Sequence, residues 1–399
     1  MGNEVLSKMN NKSSNGIFPL KTKEDCFDYE NGLYKLKFRK LYSEFMERMR
    51  SGNVEINDIC AFETVKDELR NVDKIEPRTF RVAPVTTQVL AKTCFGKMVE
   101  QIYRERWFNQ IMIGINPFKE WPKLYDRLTE GKIFAGDIGK YDKGMLVQVQ
   151  LMVIRCILSK YRGEEYVAAR NLLENLPYNI VSVNDDTWIL THSLPSGCWL
   201  TAVLNSLVNK AYTAMWYYRE FCANQRIEPT TFSFFKNLHD FVYGDDRVNV
   251  CKNKQFENFL NAKTMLNFFT SINMTFTDSK KQPITTPFQP FHEITFLKRN
   301  FTYHPKLKQI VAPLDLNTLY SGLSWIDSSK DQSSFLDKLN NFQREIYLHD
   351  SLYEVDTKKM LQKCDENHIP VSLLPPHYLQ NLYLSDEGFE YTKEITNLI

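Results

Sequence analysis

The feature that most constrains this chain is the tripeptide Gly244-Asp245-Asp246, set between the short apolar runs Phe241-Val242-Tyr243 and Val248-Asn249-Val250. Two β-prone runs separated by a Gly-Asp turn signal predict a β-hairpin. Glycine supplies the backbone freedom that a tight turn needs. Two neighbouring carboxylates at such a tip repel one another unless they share a cation. An ordinary solvated turn has the same composition, so the tripeptide requires support from elsewhere in the chain.

That support comes from Lys132-Ile133-Phe134-Ala135-Gly136-Asp137, which reads as a buried strand ending on a carboxylate, with Asp142 five residues later. Asp137, Asp245 and Asp246 brought together would offer hard oxygen ligands suited to two Mg2+ ions. The competing role for Asp137 is a helix N-cap, although Asp142 is closer to the apolar helix expected over residues 145–158. A third segment, Pro195-Ser196-Gly197-Cys198-Trp199-Leu200-Thr201-Ala202-Val203-Leu204-Asn205, combines a flexible loop with a helix start. Thr201 and Asn205 are four residues apart and share a helix face, and Asn209 prolongs that polar line. Such a line can hydrogen-bond a ribose 2′-hydroxyl. Ser196 as an N-cap, above an exposed helix face, is the plainer alternative.

Composition narrows the class without choosing the chemistry. The 399 residues are 43% hydrophobic and 25% charged, which excludes a fibrous or disordered chain. The 50 Lys and Arg against 48 Asp and Glu leave a net charge of +2, which excludes a polycation. No apolar stretch is long enough to span a bilayer, and the first residues lack a secretory pattern, so a soluble protein is expected. Eight separated cysteines without C-x-x-C spacing predict reduced thiols in a cytosolic setting. The seven histidines are scattered without ligand spacing and are expected to be structural.

Taken in order, Asp137…Asp142, then Ser196-Gly197…Thr201…Asn205, then Tyr243-Gly244-Asp245-Asp246, the chain resembles the RNA-dependent RNA polymerases of picornavirus-like positive-strand RNA viruses. Further motifs extend the likeness. Phe296-Leu297-Lys298-Arg299 is similar to that family's primer grip. Lys66-Asp67-Glu68-Leu69-Arg70 with Lys74, Arg78 and Arg81 is similar to its basic fingers motif. Ser13-Ser14-Asn15-Gly16-Ile17-Phe18-Pro19 is similar to the loop where template enters. Against the family pattern, Trp199 and Leu200 replace small residues, and Pro77 interrupts the basic motif. The family's N-terminal fingertip region is missing ahead of residue 13.

The resemblance implies an α/β chain with an α+β palm in a right-hand polymerase fold. The implied boundaries are fingers at 1–131, palm at 132–158, a fingers insertion at 159–190, palm at 191–304 and a helical thumb at 305–399. It implies template-directed RNA synthesis from nucleoside triphosphates, with Asp137, Asp245 and Asp246 as metal ligands for two Mg2+, replaceable by Mn2+. Lys280 is the implied proton donor to pyrophosphate, with Lys281 a close rival. Asp142, Ser196, Gly197, Thr201, Asn205, Lys74 and Arg81 are implied nucleotide-binding residues, and Lys66, Arg70, Ser14, Gly16, Lys298 and Arg299 implied RNA-binding residues. Residues 280–308 carry six Lys or Arg against Glu293 alone, a strip fit to line a phosphate backbone.

The implied partners are an RNA template and primer or product strand, nucleoside triphosphates, other viral replication proteins and a protein primer. The implied setting is the host cytoplasm, at membrane-associated replication complexes reached through partners. Two alternatives remain open at this level. A reverse transcriptase would share the paired aspartates but conflicts with the Asp142/Asn205 pair. An RNA-binding or replication-complex scaffold impaired in catalysis would fit the missing fingertips.

Overall fold

The computed structural model describes residues 13–66, 77–183, 186–190, 194, 196–226, 228–324 and 332–384. Among the described residues twelve strands form four sheets. Near the N-terminus β1 (Phe27–Asp28) and β2 (Leu33–Tyr34) form a small antiparallel pair. β3 (Ala61–Val65) and β4 (Thr79–Val82) join β6 (Asn179–Val183) and β7 (Asp186–Leu190) in a sheet of order β4-β3-β6-β7. The central sheet, of order β10-β5-β9-β8, contains β5 (Lys132–Ile138), β8 (Leu238–Tyr243), β9 (Asp246–Cys251) and β10 (Phe276–Thr277). A last antiparallel pair is β11 (Thr302–His304) with β12 (Gln309–Val311).

The central sheet explains why β5 reads as an unbroken apolar run. Both of its faces are covered, and successive side chains alternate between them. Phe134 and Ile138 enter the largest core cluster, with Leu204, Val208 and Tyr212 of the Thr201–Tyr217 helix and Val149 and Val153 of the Val147–Leu158 helix. Ile133 and Ala135 enter a second cluster on the opposite face, with Trp121, Leu124, Phe241, Val248 and Phe296. The hairpin expected from the Gly-Asp signal forms as β8 and β9, closed by Gly244 and Asp245, with Tyr243 paired to Asp246. Gly244 has φ +62°, the left-handed backbone that favours glycine.

A separate helical lobe follows the central sheet. Its Gln332–Tyr347, Tyr353–Glu366 and Pro376–Leu384 helices pack around Phe342, Ile346, Tyr347, Tyr353 and Leu379. The lobe is tied back to the rest of the chain: Tyr383 stacks on Tyr347 and packs against Phe118, and Lys119 Nζ donates to the Tyr383 carbonyl. All eight cysteines are free thiols. Among the described residues no helix is long and apolar enough to cross a membrane.

Candidate functional site

Strand pairing assembles the acidic centre. β5 runs antiparallel to β9 with Gly136 opposite Arg247. Asp137 and Asp246, one residue further along each strand, therefore lie side by side and on the same face of the sheet. On the other flank Asp137 pairs with Thr277 of β10. Burial, then the Asp245 and Asp137 carboxylates, push Asp246 up to about 7, while Lys281 and Lys298 pull it down. A carboxyl held that far above its usual range by burial and by its acidic neighbours is one whose ionisation a nearby cation would favour.

The donor set fits a hard divalent cation that arrives with its own waters and substrate oxygens. Among the described residues no three His, Cys, Asp or Glu side chains close into a ready cage. The three carboxylates share a neighbourhood without forming a complete coordination shell. Mg2+ retains waters and phosphate oxygens and needs only one or two protein carboxylates.

A turn after β10 supplies the nearest cation. Asp278 organises it: its carbonyl accepts from Lys281 N–H (3.0 Å), and its Oδ1 accepts from the N–H groups of Lys280 (2.9 Å) and Gln282 (2.7 Å). The turn places Lys281, with φ +62°, so that its Nζ lies 3.4 Å from Asp137 Oδ2. Lys280 was the sequence choice and Lys281 its rival. Of the two, Lys281 is the lysine whose ammonium the Asp278-centred turn brings to Asp137.

The Thr201–Tyr217 helix braces the hairpin tip from below. Ser206 Oγ accepts from Gly244 N–H at 2.8 Å, and Asn209 Nδ2 donates to the carbonyls of Gly244 (2.9 Å) and Asp245 (3.3 Å). Asn209 is therefore buried beneath the turn and does not continue the line of Thr201 and Asn205 toward solvent. Asn205 keeps its side-chain Oδ1 without a hydrogen-bond partner, while its backbone carbonyl accepts from Tyr141 OH at 2.8 Å. That bond joins the turn after Asp137 to the helix. Asp142 lies in the same helical turn, Tyr141–Gly144, but its side chain is outside the described residues.

Behind the hairpin lies a buried ionic group that the sequence reading missed. Asp240 and Arg247 face one another at 3.2 Å, Lys210 Nζ reaches Asp240 Oδ2 at 3.2 Å, and Asn249 Nδ2 donates to Asp240 Oδ1 at 2.8 Å. Thr213 accepts from Arg247 in the same pocket. Despite the burial that opposes its charge, the Lys210 and Arg247 cations hold the Asp240 carboxyl below its ordinary range. A sequence signal existed. Ser206, Asn209, Lys210 and Thr213 recur every three or four residues along an otherwise apolar helix face, a buried polar stripe.

The loop before that helix docks on β4. Ser196 Oγ accepts from Arg81 N–H at 3.0 Å, and Gly197 N–H donates to the Arg81 carbonyl at 2.7 Å. A Cβ on Gly197 would fall 2.5 Å from that carbonyl oxygen, so the close approach demands glycine. The Arg81 side chain is buried and lies 3.5 Å from Glu63 Oε2 across the β3/β4 pair. Arg70 and Lys74 lie outside the described residues. Lys66 is exposed, and its N–H donates to the Arg78 carbonyl at 2.8 Å.

Three expected RNA contacts have other duties in this structure. Arg299 is buried: Nη1 reaches Glu345 Oε2 at 2.9 Å and Nη2 reaches Oε1 at 2.7 Å, and Nη1 also donates to the Ala312 carbonyl at 2.7 Å. A guanidinium so occupied is not available to a phosphate, which corrects the RNA-binding role read from sequence. Gly16, at φ +70°, packs against the Ala83 carbonyl, where a Cβ would sit at 3.0 Å, so its duty is local backbone geometry. Ser14 is exposed, and its Oγ accepts from Gly16 N–H at 3.1 Å within the same loop. Lys298 is exposed and acts electrostatically on Asp246.

Residues 1–360 match the family model described as viral RNA-dependent RNA polymerase. The chain is 27% identical over 396 residues to the replicase polyprotein of Drosophila C virus (strain EB), an alignment covering 92% of this chain and 22% of the polyprotein. It is 27% identical over 317 residues to the replicase polyprotein of Cricket paralysis virus, covering 74% and 18%. With the RNA1 polyprotein of Grapevine chrome mosaic virus it shares 28% over 341 residues, covering 81% and 15%. The chain thus spans about a fifth of the length of these curated relatives. Among solved structures, the Sicinivirus 3Dpol RNA dependent RNA polymerase superposes with a TM-score of 0.79 at 19% identity, covering 96% of this chain and 79% of that one. That likeness establishes the right-hand polymerase fold.

Proposed function

Because the chain belongs to the viral RNA-dependent RNA polymerase family, we propose that it copies an RNA template from nucleoside triphosphates and so replicates a positive-strand viral genome. The observation that carries the reading is the meeting of Asp137 with the Gly244–Asp246 turn, where burial and then repulsion from the neighbouring carboxylates push Asp246 up to about 7. Family membership implies a divalent metal in general. We assign its protein ligands to Asp137 and Asp245, with Asp246 assisting, and its identity to Mg2+, replaceable by Mn2+. Two such ions would lower the barrier by activating the attacking hydroxyl and neutralising the leaving phosphate.

The remaining roles belong to side chains of this chain. The primer 3′-oxygen bonds to the α-phosphorus of the incoming nucleotide, the bond to the bridging β-phosphate oxygen breaks, and pyrophosphate leaves. We assign to Lys281, 3.4 Å from Asp137, the transfer of a proton to that leaving group. To Asn205, whose amide oxygen is buried and unsatisfied, we assign acceptance from the ribose 2′-hydroxyl together with Asp142 and Thr201. A site built to bond a hydroxyl rejects substrates that lack it, which favours RNA over DNA synthesis. Ser196 and Gly197 fix the loop against Arg81, which, with Lys74, is the candidate for the triphosphate. Lys66, Arg70 and Lys298 are proposed along the RNA path.

The relatives are parts of replicase polyproteins. We propose partnership with other viral replication proteins, a protein primer among them, and a setting in membrane-associated complexes of the host cytoplasm. Extension of an oligo(U) primer on poly(A) with labelled UTP and Mg2+ tests the reading. Wild-type protein elongates, and Asp245→Asn binds the same primer–template without elongating it. Near-normal elongation by that variant would overturn the assignment.

A further inference from the structure

Leu297 and Lys298 form the tip of a tight turn, and both hold left-handed backbone at φ +54° and +57°. Phe296 and Arg299 close it with reciprocal N–H to carbonyl bonds of 3.0 Å each. Two successive positive φ values suit a two-residue hairpin turn, where glycine or asparagine is the ordinary occupant. Leucine and lysine are disfavoured there, so the conformation persists only if its surroundings impose it.

Those surroundings lie in the helical lobe. Arg299 is clamped by both carboxylate oxygens of Glu345, a residue of the Gln332–Tyr347 helix, and its guanidinium lies over the Phe118 ring at 5.4 Å. The Lys298 carbonyl accepts from Asp315 N–H at 2.9 Å, and Asn300 N–H donates to the Pro313 carbonyl at 3.0 Å. His349 is bound to the neighbouring Leu314 carbonyl at 2.9 Å. The hydrogen bonds of Lys298 and Arg299 outside the turn thus lead to the 312–315 segment and to Glu345 of the helical lobe, while on the other side Phe296 stacks on Trp121. The Lys298 side chain at the tip is exposed, and its charge is felt by Asp246 of the acidic centre.

We infer that Glu345 is a positioning residue: by clamping Arg299 it imposes the strained 296–299 turn and so aims the Lys298 ammonium at the RNA strand held beside the carboxylates. The inference rests on the polymerase reading for the presence of RNA at Lys298. It assigns the aim of that lysine to the helical lobe, some 46 residues away in sequence.

The test is primer–template binding by fluorescence anisotropy as a function of salt. Each phosphate contact contributes close to one unit to the slope of log affinity against log salt. Lys298→Ala is expected to lower the slope by about one unit. Glu345→Ala is expected to lower it by the same amount, and the Lys298→Ala/Glu345→Ala double variant by no more than either alone. Glu345→Gln, which keeps an acceptor for Arg299, is expected to lie between wild type and Glu345→Ala. Should Glu345→Ala fail to fold, Arg299→Met/Glu345→Leu replaces the ion pair by apolar side chains of similar size, an exchange that folded proteins tolerate. It is expected to show the same one-unit loss.

A wild-type slope in a folded Glu345→Ala or Arg299→Met/Glu345→Leu protein, or additive losses in the double variant, would overturn the inference. That outcome leaves polymerase activity in the wild type intact. Failure of the polymerase reading itself would show separately, as wild-type protein that does not extend the primer.

Discussion

Asp246 is where the site's electrostatics can be measured directly. Its folded-state value of about 7 lies above the 3.8 of an unperturbed aspartate. A carboxyl raised on folding favours the folded state most below pH 4, and that contribution is lost as pH climbs toward 7. In a chelator the protein is therefore expected to lose stability between pH 4 and 7, and Asp246→Asn to flatten that part of the profile. Thermal unfolding across the range reads both. Binding of Mg2+ or Mn2+ near pH 6 is expected to expel close to one proton, because the ligand must ionise. Calorimetry in buffers of different ionisation enthalpy would detect it, and no proton release would contradict the ligand assignment. For Asn205, Asn205→Ala is expected to reduce discrimination against deoxynucleotides by roughly 10–100-fold. Single-turnover incorporation of UTP and dUTP provides the measurement.

At the scale of elements, the Thr201–Tyr217 helix is the brace of the hairpin. Its Ser206 and Asn209 contacts fix Gly244 and Asp245, and neither residue need touch substrate. Asn209→Ala is expected to destabilise the protein by about 1 kcal/mol, since it removes the donor to two part-buried carbonyls of the turn. It is also expected to weaken Mn2+ binding, which electron paramagnetic resonance can follow without any turnover. Gly197→Ala should separate the loop from β4, raising the nucleotide KM more than it lowers kcat. These elements show what sequence could and could not convey. The hairpin and the strand bearing Asp137 were legible because their apolar runs and turn residues are local signals. The choice between Lys280 and Lys281 was not, because it turns on how Asp278 winds a single bend. Arg299 was misread because its partner, Glu345, lies on a distant helix and nothing nearby in sequence announces it. Lys210, Asp240 and Arg247 look like surface charges until the fold pairs them.

Across the whole molecule, a mixed central sheet and a helical lobe meet along a seam made by Arg299–Glu345, Phe118–Tyr383 and Lys119–Tyr383. The fold class could be anticipated from sequence because the motifs occur in one order along the chain. The seam could not, because each contact joins residues that are remote in sequence. Tyr383 contributes most broadly, stacking on Tyr347 and donating its hydroxyl to the Arg344 carbonyl at 2.6 Å. Tyr383→Ala is expected to cost about 3–5 kcal/mol of stability, seen as a lower midpoint in denaturant titration. The Thr201–Tyr217 helix has a further consequence for the enzyme as a unit. One rigid rod carries the residues proposed to inspect the sugar at its start and the residues that hold the acidic turn midway along. On the proposed reading, accuracy and speed would be mechanically yoked, so that a change in tolerance of nucleoside analogues made through this rod would slow copying.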